Sequence, residues 1–470
     1  MTAIKFPLST APGFKLHESG GRLINCYAEP LGDGRVRRIR APGLKAWGTT
    51  AYSGFRGFHF DGTNLYAAFE GKLVRWASAS GGAATDVGDL AGSLPVFFAR
   101  NNKTPTHDNV AVTDGNAFTF TTIAVSSYGD SDVGAPNCVS FQSGYFFFTY
   151  GNGTVRSSAL NGTAINSLDV ATAETKADSL LRPIPFAGYL YLCGAGSIEV
   201  WANTGNATGF PYSYTLTIQR GLISQRAIAG YEDGFSQSII FAADDNTVCQ
   251  LNGYTPQKIS TPDLDRLIEA VSDKSTLRAK AYKSSGHSFF ELSCDEWTWT
   301  YDLNTQSWHE RQSYLSSTFR ANNAIYAFGK WLVGDANSGN ILELTSSTFK
   351  ELDDPMMFRL ESELVASDAG FPARQVISRA DFDVVTGVGK IAGEEPIETD
   401  PSCYISWSND ELNWSTPLQR PLGKAGTPGS HPMVLNTGMA GPRGRRWRLD
   451  VYDPVYVSAI GGQQFGEPRT

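Results

Sequence analysis

The sequence is short of charge and of long apolar runs. Only 18% of its 470 residues are Asp, Glu, Lys or Arg. No apolar stretch approaches the roughly 20 residues that a membrane-spanning helix needs. Low charge is typical of surfaces that neighbours cover, and equally of a large closed β fold with uncharged polar loops. The first residues, MTAIKFPLSTAPGF, lack the apolar run and cleavage site of a signal peptide, which predicts synthesis in a cytoplasm.

Cysteine is scarce and dispersed. The six residues stand singly, without a C-x-x-C pair, at Cys26, Cys138, Cys193, Cys249, Cys294 and Cys403. A free cysteine in a strand behaves as a small buried hydrophobe, and this density is far below that of a disulfide scaffold. We therefore expect no disulfide framework, no metal site and no cofactor.

Catalytic signatures are also missing. The six histidines are scattered, and the sequence has no H-E-x-x-H, no G-x-S-x-G and no phosphate-binding glycine loop. We therefore predict that the protein is not an enzyme. The nearest enzyme-like stretch, SWSNDELNW at 406–414, resembles the Asp-box turn of sialidase propellers, although Leu412 replaces the Gly of the box. That box is itself structural, so we expect Asp410 to form a turn and Trp407 and Trp414 to belong to a core.

What the sequence does contain is a repeated β unit. Residues 187–271 hold two clear copies, each an aromatic-rich strand, a Gly/Asn/Asp turn and a second alternating strand. Such runs, broken by residues that tolerate positive φ, are typical of hairpins. Seven units of this kind begin at Leu65, Asn109, Tyr145, Tyr189, Ser238, Ser288 and Trp331.

The spacing of the units indicates a β-propeller. It averages about 44 residues, and a period of about 40–50 residues that carries four short strands is typical of one blade. The steps are uneven and no unit carries a W-D or kelch motif, so we predict an all-β fold with a degenerate β-propeller of six to eight blades. A large sandwich or several small β domains would show the same strands without a period. One helix is expected at 262–271, with Thr261 as its N-cap and Pro262 at its first position.

The segments at either end differ from the repeats. Residues 1–50 are predicted to form an extended segment with a hairpin, and residues 51–355 the propeller. Residues 375–470 are predicted to form a C-terminal antiparallel β domain that resembles a sandwich. Its predicted strands lie at 375–385, 403–407, 445–452 and 455–460.

Two basic runs are the candidate sites for an interface or a phosphate contact. They comprise Arg35, Arg37, Arg38 and Arg40, and Arg443, Arg445, Arg446 and Arg448. Arginines on a strand can bind phosphate or an acidic partner. Alternatively, they form a solvated face or guard a sheet edge against aggregation. The formal net charge of −8 argues against bulk attraction to nucleic acid or to an anionic membrane.

Several stretches of the chain resemble the tail-hub, or nozzle, proteins of short-tailed bacteriophages, which are also called packaged-DNA stabilisation proteins. The likeness spans most of the chain and is weakest in the C-terminal domain. It is carried by Ile24–Tyr27, Arg40–Leu44, Arg56-Gly-Phe, Gly196–Trp201, Gln219–Ser224, Ala227–Gly230 and the helix after Ile259-Ser260.

The resemblance implies a structural protein of the virion tail, made in the host cytoplasm. Such proteins form a ring of six below the portal and its head-to-tail adaptor, close the channel after genome packaging and form part of the DNA-ejection conduit. The implied partners are further copies of the chain, the adaptor and portal, and tailspike, fibre or needle proteins. Double-stranded DNA would pass without sequence-specific binding, and an acidic wall would let it slide.

The competing hypothesis is a carbohydrate-binding or glycan-cleaving β-propeller. It requires paired carboxylates and exposed aromatic side chains that converge at the centre of the propeller. A host scaffolding or secreted propeller is a third possibility, disfavoured by the missing signal peptide and the missing repeat motifs.

Overall fold

The computed structural model describes residues 1–15, 17–173, 175–176, 178–206, 209–427, 429 and 431–469. Within these ranges the protein is built of β-strands, with one α-helix and two 3-10 turns. Five strands precede the first repeat. They are β1 Thr2–Lys5, β2 Arg22–Ile24, β3 Cys26–Pro30, β4 Val36–Arg40 and β5 Gly43–Thr49.

The repeats form seven four-stranded blades. Blades one to five are separate sheets, whereas blades six and seven continue into strands from the two ends of the chain. Blade one is β6 Phe55–Phe60, β7 Leu65–Phe69, β8 Lys72–Trp76 and β10 Thr85–Asp89, whereas the intervening β9 Gly82–Ala83 pairs with β5. Blade two is β11 Phe97–Arg100, β12 Asn109–Thr113, β13 Asn116–Phe120 and β14 Val125–Ser127. Blade three is β15 Cys138–Gln142, β16 Tyr145–Thr149, β17 Thr154–Ser158 and β18 Ile165–Thr172.

The remaining blades follow the same order from the inner to the outer strand. Blade four is β19 Leu180–Phe186, β20 Tyr189–Gly194, β21 Ile198–Asn203 and β22 Tyr212–Ile218. Blade five is β23 Ile228–Ala229, β24 Ile240–Ala242, β25 Val248–Asn252 and β26 Thr255–Lys258. Blade six is β27 Arg278–Ser284, β28 His287–Ser293, β29 Thr298–Asp302 and β30 Ser307–Glu310. Blade seven begins with β31 Ala321–Ala327, β32 Lys330–Asp335 and β33 Asn340–Thr345.

The N-terminal strand β5 closes the propeller. It pairs antiparallel with β33 and so supplies the fourth strand of blade seven, with Gly48 opposite Ile341. The innermost strands of neighbouring blades pack side by side, and β31 of blade seven packs against β6 of blade one. The inner strand of each blade still has one unpaired edge, and closure of the ring protects these short edges by packing neighbouring blades against one another.

Local sequence explains the hairpins. Between β12 and β13 the two-residue turn Asp114-Gly115 has φ of 50° and 72°, the pair of positive values that a type I′ turn requires. The strands that follow such turns bury their side chains: in β16, Phe146, Phe147 and Phe148 are all fully buried. The seven predicted hairpins coincide with the two middle strands of the seven blades, which confirms the predicted fold class and gives seven as the number of blades.

Both ends of the chain meet in a β-sandwich. After β34 Lys350–Glu351 and β35 Asp354–Pro355, the chain forms β36 Phe358–Glu361, β37 Arg374–Val384, β38 Ser402–Ser408, β39 Leu418–Pro421, β40 Met433–Met439, β41 Arg446–Val451 and β42 Ser458–Arg469. One sheet has the order β2-β36-β41-β38-β39 and continues blade six, because β2 pairs with β30. The other has the order β3-β4-β42-β37-β40, with β1 on β42. Residues 1–50 thus supply strands to both the propeller and the sandwich, and the domain limits 51–355 and 375–470 stay predictions.

The sandwich core is apolar and continuous between its two sheets. The Trp447 side chain is fully buried and its ring lies 5.6 Å from that of Phe382 on the facing sheet. The strand predicted at 455–460 begins only at Ser458. The reason is local: the carbonyl of Val455 accepts a hydrogen bond from the Arg40 side chain, and that of Val457 accepts one from the Arg40 backbone N–H.

The helix lies where the sequence predicts it. Helix α1 spans Pro262–Ala270, and the Thr261 Oγ1 accepts a hydrogen bond from the Leu264 N–H, as an N-cap should. Leu264 and Ile268 are fully buried in the core shared by blades five, six and seven. In the ranges described above, no helix has the length and apolar character needed to cross a membrane.

Candidate functional site

The N-terminal basic run divides into exposed and buried arginines. Arg35 pairs with Asp33, with both side chains more than half exposed, and Arg37 pairs with Glu29 across the β3–β4 hairpin. Arg38, on the same strand, is buried. Its guanidinium donates hydrogen bonds to four backbone carbonyls, those of Phe6, Pro7, Val36 and Ile460.

Arg40 is buried more deeply than Arg38. Its side chain is 2% exposed, and its guanidinium donates to the carbonyls of Met356, Val451, Asp453 and Val455. Burial lowers the pKa of Arg40 to about 9. These two arginines therefore hold the N-terminal hairpin against the last strands of the chain.

The C-terminal basic run divides in the same way. Arg445 is fully buried and donates to Asn409 Oδ1 at 2.9 Å, to both oxygens of Thr437 and to the Met439 carbonyl. Arg446 is buried against the Glu411 carboxylate at 2.8 Å and donates to the carbonyls of Ser19 and Ser362. Both residues thus tie strands and loops together inside the sandwich.

The other two members of this run are more accessible. Arg448 pairs with Glu361 at 2.7 Å, and its guanidinium carbon lies 3.6 Å from the centroid of the Trp414 ring. Arg443 is exposed and lies over the Phe371 ring at 5.9 Å.

The predicted contact role is wrong for four of the eight arginines. Arg38, Arg40, Arg445 and Arg446 are not available in this chain for a phosphate or a partner, because burial and internal hydrogen bonds occupy them. A contact role for Arg35, Arg37, Arg443 and Arg448 stays a prediction.

The Asp-box-like stretch is a turn without catalytic features. The Asp410 carboxylate accepts hydrogen bonds from the Asn413 side chain and from the backbone N–H groups of Leu412 and Asn413, which hold its pKa well below the usual range. The prediction for Asp410 is therefore confirmed. The prediction of a core position is wrong for Trp414, which is half-buried beneath Arg448 because the hairpin ends at the sandwich surface. Trp407 is also half-buried, packed at the edge of the core.

The centre of the propeller contains a cavity of about 410 Å³, lined by the innermost strands of six blades and the segments next to them. Aromatic side chains and arginines dominate its wall. The arginines are Arg56, Arg100, Arg182, Arg226 and Arg278. No motif in the sequence marks these arginines as a site, although Arg56 and Arg100, and again Arg182 and Arg226, stand 44 residues apart, which equals the mean period of the blades.

This central cavity is called the channel below. Three of its five arginines have partners. Arg56 is buried and donates to three backbone carbonyls and to Thr113 and Asp114. Arg278 pairs with Asp295 at 3.0 Å. The Arg182 guanidinium donates to the Tyr231 hydroxyl at 2.5 Å. For Arg100 and Arg226, the side chains form no hydrogen bond or ion pair with any residue that the structure describes.

Two carboxylates line the same cavity. Asp233 is exposed, whereas Glu232 is half-buried and accepts a hydrogen bond from the Gly230 N–H at 2.6 Å. Burial raises the pKa of Glu232. Burial also lowers the pKa of His59 to about 4, so this neighbouring imidazole is neutral at pH 7. Arginine charge therefore exceeds carboxylate charge along the channel.

A second concavity has a different chemistry. A groove of about 650 Å³ lies between blades four, five and six and carries no ionisable acid or base other than tyrosine. Its wall combines the rings of Tyr189 and Tyr254, 6.1 Å apart, with exposed amide side chains. The amides are those of Gln237, Asn252, Gln257 and Gln306.

Metal-binding groups are absent from the described part of the chain. There, no three His, Cys, Asp or Glu residues come together in a way that could hold a metal ion. The six cysteines are buried free thiols, and burial raises the pKa of the Cys138 thiol to about 11.

The protein is a seven-bladed β-propeller whose ring is closed by an N-terminal strand and whose two ends form a sandwich. Within that class, the chain belongs to a bacteriophage family: residues 28–349 match the family model described as "Bacteriophage P22 Gp10, beta-propeller". This match confirms the family resemblance and shows a P22 Gp10-like phage stabilisation and tail protein, a virion structural family. No curated protein sequence matches the chain.

Solved propellers of low identity are similar in outline. The WD40 β-propeller domain of Doa1 aligns with 64% of this chain and 96% of its own, at 12% identity and a TM-score of 0.42. U3-55K aligns with 64% and 99% at 9% identity and 0.40, and BamB from Moraxella catarrhalis with 67% and 92% at 12% identity and 0.39. Similarities of this size carry no argument about function.

Proposed function

We propose that this protein forms a ring, with six copies, in the phage tail below the portal and head-to-tail adaptor. There it closes the channel after genome packaging and forms part of the ejection conduit. The observation that carries the proposal is the family match over residues 28–349. In the same proposal the protein has no catalytic activity, and its partners are further copies of itself, the adaptor and portal, and tailspike, fibre or needle proteins.

The architecture suits a rigid structural component of the tail. A closed propeller is rigid and presents loops on two faces, which lets neighbours dock above and below it. The propeller is also joined to the sandwich where β2 pairs with β30, with Ile24 opposite Glu310. A ring of identical chains requires heterologous contacts that close, and the net charge of −8 suits a wall along which DNA slides.

An apolar sheet edge supports the ring contact. Strand β18 is the outermost strand of blade three, and Leu168 and Val170 stand two residues apart on one face of it, 81% and 39% exposed. An exposed apolar edge strand is a template for pairing with another chain. We assign this edge to contact between copies of the chain.

Imaging of particles that carry the protein tests the ring. A closed ring of copies around the DNA axis below the portal is the expected result, and scattered peripheral copies would contradict it. The edge is tested separately with Leu168→Asp, which should reduce assembly while the isolated chain keeps its melting temperature. Ile123→Asp is the matched control, because Ile123 is 80% exposed but lies in the turn before β14; an equal loss of assembly in both variants would contradict the assignment of β18.

A second candidate function is neutral-glycan binding in the tyrosine and amide groove. Stacking tyrosines and uncharged amides are the groups that position a polar, uncharged ligand, and this groove has both. Titration of neutral oligosaccharides into the protein and into Tyr254→Ala tests it. Binding that the variant loses would support this function, and the absence of binding to any oligosaccharide in a broad panel would remove it.

A further inference from the structure

We propose that the central channel of the propeller binds a small multivalent oxyanion, held by Arg100, Arg182 and Arg226. The proposal concerns the channel within one chain and does not depend on the ring. It begins with two cations that have no partner. The Arg100 and Arg226 guanidiniums are both half-buried and line the cavity, and a guanidinium that loses hydration without gaining a partner is left uncompensated.

The surroundings of Arg226 increase the cost of leaving it unpaired. Burial, and then the nearby positive charge of Arg278, lower the pKa of Arg226 to about 10. The charge of the Asp295 carboxylate opposes this lowering, but that carboxylate is already bound to Arg278 at 3.0 Å. A bound anion would offset both the lost hydration and the repulsion between the two guanidiniums.

Arg182 is held in place for such a ligand. Its guanidinium donates to the Tyr231 hydroxyl at 2.5 Å and lies over two aromatic rings, 4.9 Å from the centroid of Phe97 and 5.6 Å from that of Tyr231. A guanidinium that is stacked and hydrogen-bonded loses little further freedom when it binds an anion. Its remaining N–H groups are arranged as the planar fork that matches carboxylate and phosphate oxygens.

Competing negative charge in the channel is small. Of the two carboxylates in its wall, Asp233 is exposed, and Glu232 accepts a hydrogen bond from the Gly230 N–H. Burial raises the pKa of Glu232, although the nearby charge of Arg182 opposes the shift. The cavity of about 410 Å³ falls within the range of small-molecule sites and excludes a DNA duplex. The ligand class is therefore a small molecule with at least two anionic oxygens, either a phosphate compound or a polycarboxylate.

Isothermal titration calorimetry on the full chain tests the proposal, with pyrophosphate and citrate as separate probes at low ionic strength. We expect binding of one anion per chain, with an affinity that falls by about tenfold or more in Arg226→Gln and in Arg100→Gln, because each variant removes a charge-assisted hydrogen bond. Tighter binding of pyrophosphate would identify the phosphate class, and tighter binding of citrate the polycarboxylate class.

Two controls make the result decisive. Arg374→Gln removes an exposed arginine of the sandwich, so the affinity should stay within about twofold of the parent. Arg226→Lys keeps the charge without the planar fork and should recover part of the affinity. Circular dichroism and melting temperature confirm that each variant is folded. The proposal is overturned if neither anion binds, or if folded Arg226→Gln and Arg100→Gln both bind as tightly as Arg374→Gln.

Discussion

The sandwich and the propeller channel use the same side chain in opposite ways. In the sandwich, Arg38 and Arg40 each meet several backbone carbonyls and are almost completely buried. In the channel, Arg100 and Arg226 remain half-buried and have no partner among the described residues. Burial of an arginine is favourable only where the fold supplies acceptors in the right geometry.

The difference arises from the two architectures. In the sandwich, loops and strand ends from distant parts of the chain converge, and their carbonyls are not all used by sheet ladders. In the propeller channel, Arg56 also reaches three backbone carbonyls, whereas the Arg100 and Arg226 side chains have no acceptor within hydrogen-bond distance among the described residues. The buried sandwich arginines therefore stabilise the fold, whereas Arg100 and Arg226 in the channel keep unused N–H donors.

Loss of a buried arginine from the sandwich should lower the free energy of unfolding more than any other change considered below. Arg40→Leu removes the guanidinium donor from the carbonyls of Met356 and Val455, while the Asp453 carbonyl keeps the Val455 N–H as a donor. The variant should lower the free energy of unfolding by about 3–5 kcal/mol. Urea unfolding followed by tryptophan fluorescence measures it. Arg35→Leu is the matched control on the same hairpin, since its exposed pair with Asp33 is screened by solvent and its loss should change the stability little. Equal losses in the two variants would remove the distinction between the buried and exposed arginines.

The second prediction concerns the pH dependence of stability caused by Glu351, a buried acid near Arg311. Burial raises the pKa of Glu351 to about 7, although the charge of Arg311 opposes the shift. The folded protein therefore binds this proton more tightly than the unfolded chain, whose glutamate has a pKa of 4.5, and stability falls as the pH rises from about 4.5 to 7. Glu351→Gln should be more stable than the parent by on the order of 2–3 kcal/mol at pH 8 and nearly equal to it at pH 4.

Urea unfolding at these two pH values measures the effect of Glu351→Gln. The control is internal, because buried His59, whose pKa is lowered to about 4, titrates in the same pH range in both proteins and cancels in the difference. A variant that is less stable than the parent at pH 8 would show that the ionised Glu351 is stabilised by Arg311 after all.

Replacement of the channel residue Arg226 should have a smaller effect on stability, opposite in sign to that of Arg40→Leu. Arg226→Gln removes a desolvated cation that is repelled by Arg278, so it should raise the free energy of unfolding by about 0.5–1 kcal/mol at low salt. The gain should shrink as salt screens the repulsion. Thermal unfolding at two ionic strengths measures it, and destabilisation at both would place Arg226 with the structural arginines.

The features that could be predicted from the sequence are those that depend only on neighbouring residues. The turn Asp114-Gly115 needs only its own φ values to define a hairpin, and the N-cap Thr261 needs only the helix that follows it. Strand β5 was beyond such reasoning, because its partner β33 lies almost three hundred residues later and no local pattern links them. The two ends of the sandwich are joined by the same kind of distant pairing.

The candidate site shows the same limit. The run VRRIR at 36–40 alternates as a strand should, and the alternation cannot reveal that Arg38 and Arg40 face a covered side while Arg37 faces solvent. The channel arginines had a usable signal in their separation of one blade period. Their missing partners could not be inferred, since pairing depends on which loops surround the inner strands.

The closure of the ring by β5 has a consequence during synthesis. Strand β5 leaves the ribosome before any blade exists, and at about 5–20 residues per second it waits on the order of 15–60 s for β33. Throughout that interval blade seven is incomplete, and any chain that terminates early keeps an open strand edge. An open strand edge is a template for pairing with other chains, so a truncated copy would be prone to aggregate.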